Sequence, residues 1–507
     1  MINFKAQHGF FKPGWLNTWR PYFLIFLFGF LLYGQTLFFD YTYLDDNALI
    51  LENYPTISQF KNVGTIFSSD VFLSTPKFYY RPLLNLSFYP EATTTGTAPA
   101  IFHLVNIILH LSAVALVFRL LLKLDCAPPL AYFLSLLFLV HPVLTQAVAW
   151  IPGRNDPLLV IFVLASLLSF LSFANRPRLR SYLAYLLFLF LALLSKETAV
   201  FLPGLVIFYF LFLAPEKVSK SDRWLLVFGS AAIGFIWFLM RHFALGGETL
   251  GLSAALVSIF KNSASLIVFL GKAVLPFSLS VVPSLADAKI IYGLIVLPLL
   301  ILALVFSKAK KQKYLVFGVL WFLFFILPSF IRPNPVDTPD FFEHRLYLPL
   351  IGLLIILAEI DWFKKLDFKN KKVQAGAALV LIFFAILTFR HSLNFSNRLT
   401  FWRSAVKTSP HSPLAHRNLG VMEYFDGERA AAAKEYQAAL ALNPNEQMAH
   451  NNLGVIYMED KNWSAAEAEF KAELRINPGY DKALANLSDL AYRQQAASLN
   501  NPEKSLR

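Results

Sequence analysis

The sequence predicts an all-α fold in two parts, a polytopic helical domain embedded in a membrane followed by a short solenoid of helical repeats. Of its 507 residues, 56% are hydrophobic and only 15% are charged, whereas a soluble domain has about 25% charged residues. Near the C-terminus the chain repeats itself every 34 residues. This composition excludes both a single water-soluble globule and intrinsic disorder. The lone cysteine, Cys126, excludes an intramolecular disulfide framework and any multi-cysteine metal site.

Apolar runs of the length that a spanning helix needs, roughly 20 residues, predict the membrane domain. The run at 263–283 is interrupted by a lysine and two prolines, so we predict that it is interfacial or re-entrant. The alternative is that it crosses and a neighbouring run does not. We predict eleven spans, at 21–39, 101–122, 129–150, 157–174, 181–194, 198–214, 224–240, 289–307, 314–331, 346–360 and 373–389.

Basic residues predict the orientation of the domain, because cytoplasmic loops carry an excess of Lys and Arg. This rule also accounts for the net charge of +13 without a nucleic-acid partner. With eleven crossings the C-terminus lies outside, and the first outer loop is 40–100 of a domain that covers 1–392. The loops predicted to be cytoplasmic include those with Arg176, Arg178 and Arg180, and with Lys369, Lys371 and Lys372.

The repeats follow the tetratricopeptide pattern. PLAHRNLGVMEY, which begins at Pro413, matches QMAHNNLGVIYM, which begins at Gln447, and each match is followed by a small residue, an aromatic residue and a closing proline. We predict a connecting helix in 393–412 and a repeat domain in 413–507. Its repeats are 413–446, 447–480 and a partial one at 481–501. They indicate a groove that binds protein or peptide, with a packing platform over the membrane domain as the alternative.

The strongest candidate for chemistry is the acidic pair Asp45 and Asp46 in YTYLDDNALILEN, directly after the first span. Neighbouring carboxylates repel each other, which raises the pKa of one and suits it to accept a proton. The pair could equally hold a divalent cation. The alternative is structural, since Asp before a helix is a good N-terminal cap.

The other unusual polar residues lie in the predicted outer loops or toward the outer end of the third span. Arg and Lys at such positions bind phosphate, but the same residues anchor helices at the membrane interface. For SKET at 195–198 the structural alternative is an ion pair between the adjacent Lys196 and Glu197. The remaining candidates are Arg81 in FYYRPLLNLSF, His141 and Arg154 in HPVLTQAVAWIPGRND, and Glu343 and Arg345 in FFEHRLYLPLIG.

These motifs resemble those of the transmembrane and tetratricopeptide-repeat O-mannosyltransferases and their bacterial relatives. The motifs are, in order, YLDDNALILEN, YYRPLLNLSF, FHLVNIILH, HPVLTQAVAWIPGRND, LLSKETAV, VLPFSLSV and EHRLYLPLIG, and the repeats follow them. That family resembles the GT-C class of membrane glycosyltransferases, which take a sugar from a polyprenyl-phosphate carrier on the non-cytoplasmic side. The resemblance implies a GT-C-like transmembrane domain and transfer, with inversion, to a hydroxyl of a protein or glycan.

Residue by residue, the resemblance implies that Asp45 and Asp46 are the acidic pair of the first outer loop, one of them the general base. The lipid-linked donor is the only cofactor-like molecule required, and a divalent metal at the pair stays open. We expect six further residues to contact the donor phosphate or the acceptor, namely Arg81, His141, Arg154, Lys196, Glu343 and Arg345.

The resemblance also implies where the protein acts and what it binds. The compact loops and short tail suit a multi-pass protein of a bacterial inner membrane, with undecaprenyl phosphate as carrier and the repeats in the periplasm. The expected partners are membrane lipid, the polyprenyl-phosphate sugar and an acceptor protein at the repeats. Animal members have many more repeats, so the acceptor need not be of the same class.

Two other function classes remain open from the sequence. One is a non-catalytic membrane scaffold whose repeats recruit envelope proteins, and the other is a transporter or ligase of lipid-linked glycans. A transporter is expected to have charges deep in several spans and symmetric halves, whereas here the charges gather at one face. HExxH, P-loop, GxGxxG and GxSxG patterns are absent, which leaves ATP, NAD and serine-hydrolase chemistry without support.

Overall fold

The computed structural model describes residues 14–74, 79–247, 251–308, 311–331 and 342–499. Throughout these ranges the regular structure is helical, and they contain no β-strand. The predicted all-α fold with tetratricopeptide repeats near the C-terminus is therefore confirmed. The chain divides into two compact units, which we call the membrane unit (Met1–Leu279 and Lys289–Asn397) and the repeat unit (Ser280–Ala288 and Arg398–Arg507).

The membrane unit begins with one long apolar helix, continues through short helices in the segment 40–100, and then alternates long and broken helices. Its helices are α1 Arg20–Tyr33, α2 Tyr54–Ile57, α3 Val63–Phe67, α4 Pro82–Thr95, α5 Pro99–Lys123, α6 Pro128–Leu139, α7 Thr145–Ala149, α8 Asn155–Asn175, α9 Leu179–Ser195, α10 Leu202–Phe208, α11 Lys220–Leu245, α12 Leu252–Lys261, α13 Ser265–Val274, α14 Ile291–Phe306, α15 Gln312–Ile326, α16 Pro349–Ala358, α17 Asp361–Lys364 and α18 Lys371–Ser392.

All eleven predicted apolar runs are helical, but they differ in length. Within the described ranges, six helical stretches are long and apolar enough to cross a membrane. The run at 129–150 is a helix pair bent by 50°, and Ser253–Lys261 with Ser265–Val274 forms a second pair, bent by 54°. Four predicted runs are shorter apolar helices. The number of crossings, and whether 263–283 crosses, stay predictions.

Small residues let two helices of the membrane unit approach closely. A methyl group at Gly318 of α15 would lie 2.8 Å from the carbonyl oxygen of Gly352 in α16, and one at Gly352 would lie 2.6 Å from the carbonyl oxygen of Gly318. Such backbone contact between helices is typical of small residues inside a membrane, where close packing replaces the hydrophobic driving force.

The repeat unit consists of helix pairs, as its period predicts. Its helices are α19 Arg398–Thr408, α20 Pro413–Phe425, α21 Arg429–Leu442, α22 Ala449–Glu459, α23 Trp463–Ile476 and α24 Asp481–Leu499. In the first repeat a methyl group at Gly420 would lie 2.7 Å from the Tyr436 ring, and in the second one at Gly454 would lie 2.7 Å from the Phe470 ring. The glycine of the Leu-Gly pair therefore leaves the space that the aromatic residue of the second helix occupies.

Candidate active site

The acidic pair lies in a tight turn after the first apolar helix, and its two members have different environments. Asp46 is buried, with 1% of its surface exposed. Its Oδ2 accepts hydrogen bonds from the Thr42 backbone N–H (2.7 Å) and hydroxyl (2.8 Å). Its Oδ1 is buried and has no hydrogen-bond partner among the described residues. The side chain makes no capping bond to the helix Asn47–Glu52, so it is not the N-terminal cap that the sequence offered as the alternative.

Burial raises the pKa of Asp46 to about 7, since a buried carboxylate is costly to ionise. The charge of Asp45 raises the pKa further, whereas the hydrogen bonds from Thr42 oppose the rise. Asp45 itself has a left-handed backbone, with φ +66°, a conformation that Asp tolerates better than most residues. A carboxyl group with a pKa near neutrality can take up and release a proton under physiological conditions.

A tryptophan connects this turn to the last of the predicted polar motifs. The indole N–H of Trp150 donates to the carbonyl oxygen of Leu44 (2.8 Å). Its ring lies 5.6 Å from that of His344 and 6.5 Å from that of Phe342. Sequence reasoning missed this contact, because an aromatic residue at a membrane interface is common. Trp150 thus brings the acidic turn next to the Glu343–Arg345 segment.

Three of the predicted basic residues converge beside His344. The Arg81 guanidinium donates hydrogen bonds of 3.0–3.3 Å to both oxygens of the Glu197 carboxylate. Lys196 Nζ lies 2.7 Å from Asp156 Oδ1. Burial holds the pKa of the His344 imidazole well below its usual value, and so do the charges of Lys196, Arg345 and Arg81. We call Arg81, Asp156, Lys196, Glu197, His344 and Arg345 the site cluster.

Lys196 and Glu197 do not pair with each other, contrary to the structural alternative from the sequence. Lys196 pairs with Asp156 from the start of α8, and Glu197 pairs with Arg81 from the start of α4. The two neighbours therefore fasten two different helices to the end of α9. The pairing also explains why a charged dipeptide stands between two apolar helices.

Arg154 is predicted to contact the donor or the acceptor, and in the structure its side chain connects helices around the site cluster. Its side chain is fully buried. Its N–H groups donate to the Asn106 side chain and to two backbone carbonyls, at 2.7–2.9 Å, and it pairs with Glu91 at 2.5 Å. The guanidinium also lies over the Phe88 ring, 4.6 Å from its centre. With its donors used in this way, Arg154 joins α4, α5 and α8.

His141 and Glu343 are also predicted ligand contacts, and in the structure both contact the end of α13. His141 Nε2 lies 3.1 Å from the carbonyl oxygen of Ala273. Glu343 is fully buried and pairs with Lys272 at 2.7 Å. His391 lies 3.4 Å from the other carboxylate oxygen. Lys272 had a sequence signal, a charge inside the apolar run 263–283, and such charges in membrane proteins usually have a partner.

The described residues contain no group of three or more His, Cys, Asp or Glu side chains that could hold a metal ion. The predicted metal position at Asp45 and Asp46 thus offers two carboxylates and no third ligand of these types in the same ranges. Metal dependence remains a question for experiment.

Two family models match the chain. The model described as dolichyl-phosphate-mannose-protein mannosyltransferase matches residues 96–241. This part contains α5, α8 and α9 and, of the site cluster, Asp156, Lys196 and Glu197. The model described as tetratricopeptide repeat matches residues 423–481.

Several known proteins are similar to this chain. A protein O-mannosyl-transferase of Caenorhabditis elegans is 27% identical over 418 residues, which are 78% of this chain and 59% of that protein. The human protein O-mannosyl-transferase TMTC4 is 27% identical over 473 residues, 78% of this chain and 63% of that protein. Mouse TMTC1 is 35% identical over 217 residues, 38% and 22%. The chain thus spans about three fifths of the first two relatives, and the predicted resemblance is confirmed.

Proposed function

Because the chain is a tetratricopeptide-repeat-containing, O-mannosyltransferase-like multi-pass membrane protein, we propose that it is a glycosyltransferase. It transfers a sugar from a polyprenyl-phosphate donor to a hydroxyl group of a protein or glycan. The observation that carries the proposal is Asp46, a buried carboxyl group with a pKa of about 7 and an oxygen without a hydrogen-bond partner. Through Trp150, the turn that contains Asp46 lies beside His344 of the site cluster.

In the proposed reaction Asp46 is the general base. The acceptor hydroxyl loses its proton to the Asp46 carboxylate while its oxygen forms a bond to the anomeric carbon of the sugar. The bond from that carbon to the phosphate oxygen breaks, and the phosphate leaves with the electron pair. Attack from the face opposite the phosphate inverts the anomeric carbon. A positioned base of suitable pKa contributes roughly 10²- to 10⁴-fold to such a step.

The site cluster supplies positive charge for the leaving phosphate. Arg81, Lys196 and Arg345 all interact electrostatically with the Asp156 carboxylate, so their charges lie close to one another. Preorganised cations stabilise charge that develops in the transition state. Asp156 and Glu197 fix two of these cations in place before the donor arrives. With these cations present, the reaction as proposed needs no cofactor apart from the lipid-linked donor.

The donor chain and the acceptor have separate places in this proposal. The prenyl chain lies among the apolar helices, with its phosphate at the end of the membrane unit that carries the site cluster. That end is the extracytoplasmic one, here the periplasmic face of a bacterial inner membrane. The tetratricopeptide repeats bind the acceptor protein on the same side, which agrees with the common use of such repeats as concave binding surfaces.

The test is a transfer assay with the full-length protein in lipid nanodiscs. Polyprenyl-phosphate mannose and other polyprenyl-phosphate sugars are the donors, and a Ser/Thr-rich peptide library is the acceptor. We expect wild-type protein to transfer sugar from at least one donor and Asp46→Asn to lose roughly 10²- to 10⁴-fold. Glu52→Gln is the control, since Glu52 is an exposed carboxylate of the same loop and, within the described ranges, its side chain bonds only to Asn47.

The alternatives give different results in this assay. Full transfer by Asp46→Asn would remove Asp46 from the reaction while leaving the transferase assignment intact. Absence of transfer from every donor, with repeats that still capture envelope proteins, would favour the scaffold. Movement of a lipid-linked glycan between leaflets without transfer would favour the transporter.

A further inference from the structure

A second concentration of charge lies in the membrane unit, away from the site cluster. It surrounds a cavity of about 570 Å3 where the ends of α5 and α8 meet the start of α9. No acidic side chain is among the described residues that line the cavity. Its cationic lining comes from two helical turns of α5 and from the turn between α8 and α9, and consists of Arg119, Lys123, Arg176, Arg178 and Arg180.

These five side chains are exposed and have no partner in the protein as described. Among the residues of known placement, none of the five forms an ion pair, and none uses its side chain in a hydrogen bond. Five like charges around one cavity repel one another unless an anion lies between them. Four of them are arginines, whose planar forks match the oxygens of a phosphate group.

The cavity lies at the opposite end of the helices that carry the site cluster. Helix α8 begins beside Asp156, which pairs with Lys196, and ends at Asn175 in the cavity lining. Its 21 residues span about 30 Å, which is the thickness of the hydrocarbon core of a bilayer. The cavity is therefore placed at the level of the headgroups of the other leaflet.

An apolar stripe leads away from the cavity along α9. Leu179, Leu183 and Leu187 are 71%, 53% and 54% exposed. Residues four apart in a helix lie on one face, and Leu179 stands in the chain between the cavity-lining Arg178 and Arg180. The three leucines therefore form an apolar stripe that begins beside the cavity and follows α9. A soluble anion makes no contact with such an apolar stripe, whereas the acyl chain of a lipid packs against it.

We propose that this cavity binds the phosphate-bearing headgroup of an anionic membrane lipid, with an acyl chain on the leucine stripe of α9. The arginines of the turn between α8 and α9 hold the phosphate, while Arg119 and Lys123 close the ring of positive charge from α5. Basic pockets between membrane helices are known to select anionic headgroups in this way. The bound lipid would pin the turn that joins α8 to α9.

The experiment titrates delipidated full-length protein in detergent with phosphatidylglycerol or phosphatidylcholine and counts bound lipid by native mass spectrometry. We expect wild-type protein to bind phosphatidylglycerol more tightly than phosphatidylcholine. The triple variant Arg176→Gln/Arg178→Gln/Arg180→Gln is expected to raise the apparent Kd for phosphatidylglycerol at least about tenfold. The control is Lys369→Gln/Lys371→Gln/Lys372→Gln, which removes the same number of exposed charges outside the cavity.

Three outcomes would overturn the proposal. These are equal affinity for the two lipids, equal loss in the triple variant and its control, or displacement of phosphatidylglycerol by an equal concentration of inorganic phosphate. The last would assign the cavity to a soluble anion. If the triple variant does not fold, two others decide. The Arg→Lys triple keeps the charge and is expected to retain most binding, and Leu183→Ser/Leu187→Ser is expected to weaken phosphatidylglycerol binding with all cations intact.

Discussion

The two ends of helices α5, α8 and α9 treat positive charge in opposite ways. At the site cluster, Lys196 is buried against Asp156, and Arg81 is held by Glu197. At the basic cavity, the cations Arg178 and Arg180 are exposed and make no ion pair in the described structure. One end thus has charges fixed by protein partners, and the other has charges left to the surroundings.

This difference indicates two kinds of task. A buried ion pair repays its desolvation only with good geometry, so the charges of the site cluster are held in position before any substrate binds, as electrostatic catalysis requires. Exposed, unpaired arginines keep their hydration and give no fixed geometry, but they attract any anion of suitable shape. The first arrangement suits a reaction, and the second suits retention of a lipid.

The largest effect is expected where a buried pair is broken. Lys196→Met leaves the Asp156 carboxylate buried without its cation, and removal of one partner of such a pair costs about 3–5 kcal/mol. Arg178→Met, at the other end of α9, removes an unpaired exposed charge and should change the free energy of unfolding by at most about 0.5 kcal/mol. Unfolding in mixed detergent and SDS micelles measures both, and equal losses would remove the contrast between the two ends.

Asp46 should give the next largest effect, through the pH dependence of stability. Because burial raises the pKa of Asp46 to about 7 in the folded protein, the folded state holds this proton more tightly than the unfolded state does. Stability therefore falls as the pH rises from about 4 to 7 and then levels off, with a total of about 4 kcal/mol. Asp46→Asn should lack this fall and be more stable than wild type at pH 8. A wild-type pH dependence in Asp46→Asn would contradict the assignment.

A smaller effect is expected at the partly exposed pair of the site cluster. Arg81 and Glu197 have 16% and 27% of their side chains exposed. Arg81→Lys keeps the charge but loses the fork of hydrogen bonds to Glu197, with an expected cost of about 1 kcal/mol in stability. In the transfer assay the same variant should raise KM for the donor more than it lowers kcat. Unchanged binding and stability would place Arg81 outside the site.

Much of the fold could be predicted because it depends on local pattern. Length and hydropathy mark the apolar runs, and a fixed period with Gly420 and Gly454 marks the repeats. The ends of the runs are less certain from sequence, since a bend such as the 50° one between α6 and α7 arises from packing. Asp46, Arg81, Lys196 and Arg345 could be chosen from sequence because polar residues at the end of apolar helices are rare and costly.

The partners of these residues could not be predicted, because they are far apart in the chain. Arg81 and Glu197 are separated by 116 positions, and Lys272 and Glu343 by 71. From sequence alone, an arginine such as Arg154 could pair equally well with a phosphate or with a buried carboxylate. Only the fold shows that Glu91 already occupies it. Sequence therefore identified the charged residues, whereas only the packing of the folded chain shows how they pair.

The central claim is that Asp46 takes the proton of the acceptor, and a pH profile of sugar transfer tests it most directly. The rate in nanodiscs would be measured between pH 5 and 9 for wild type, Asp46→Asn and the Glu52→Gln control. Because the base must be ionised, wild type and the control should gain activity with a midpoint near pH 7, the pKa of Asp46. Asp46→Asn should lose both the rate and this rise. An Asp46→Asn enzyme with the wild-type rate and the same midpoint would contradict the account.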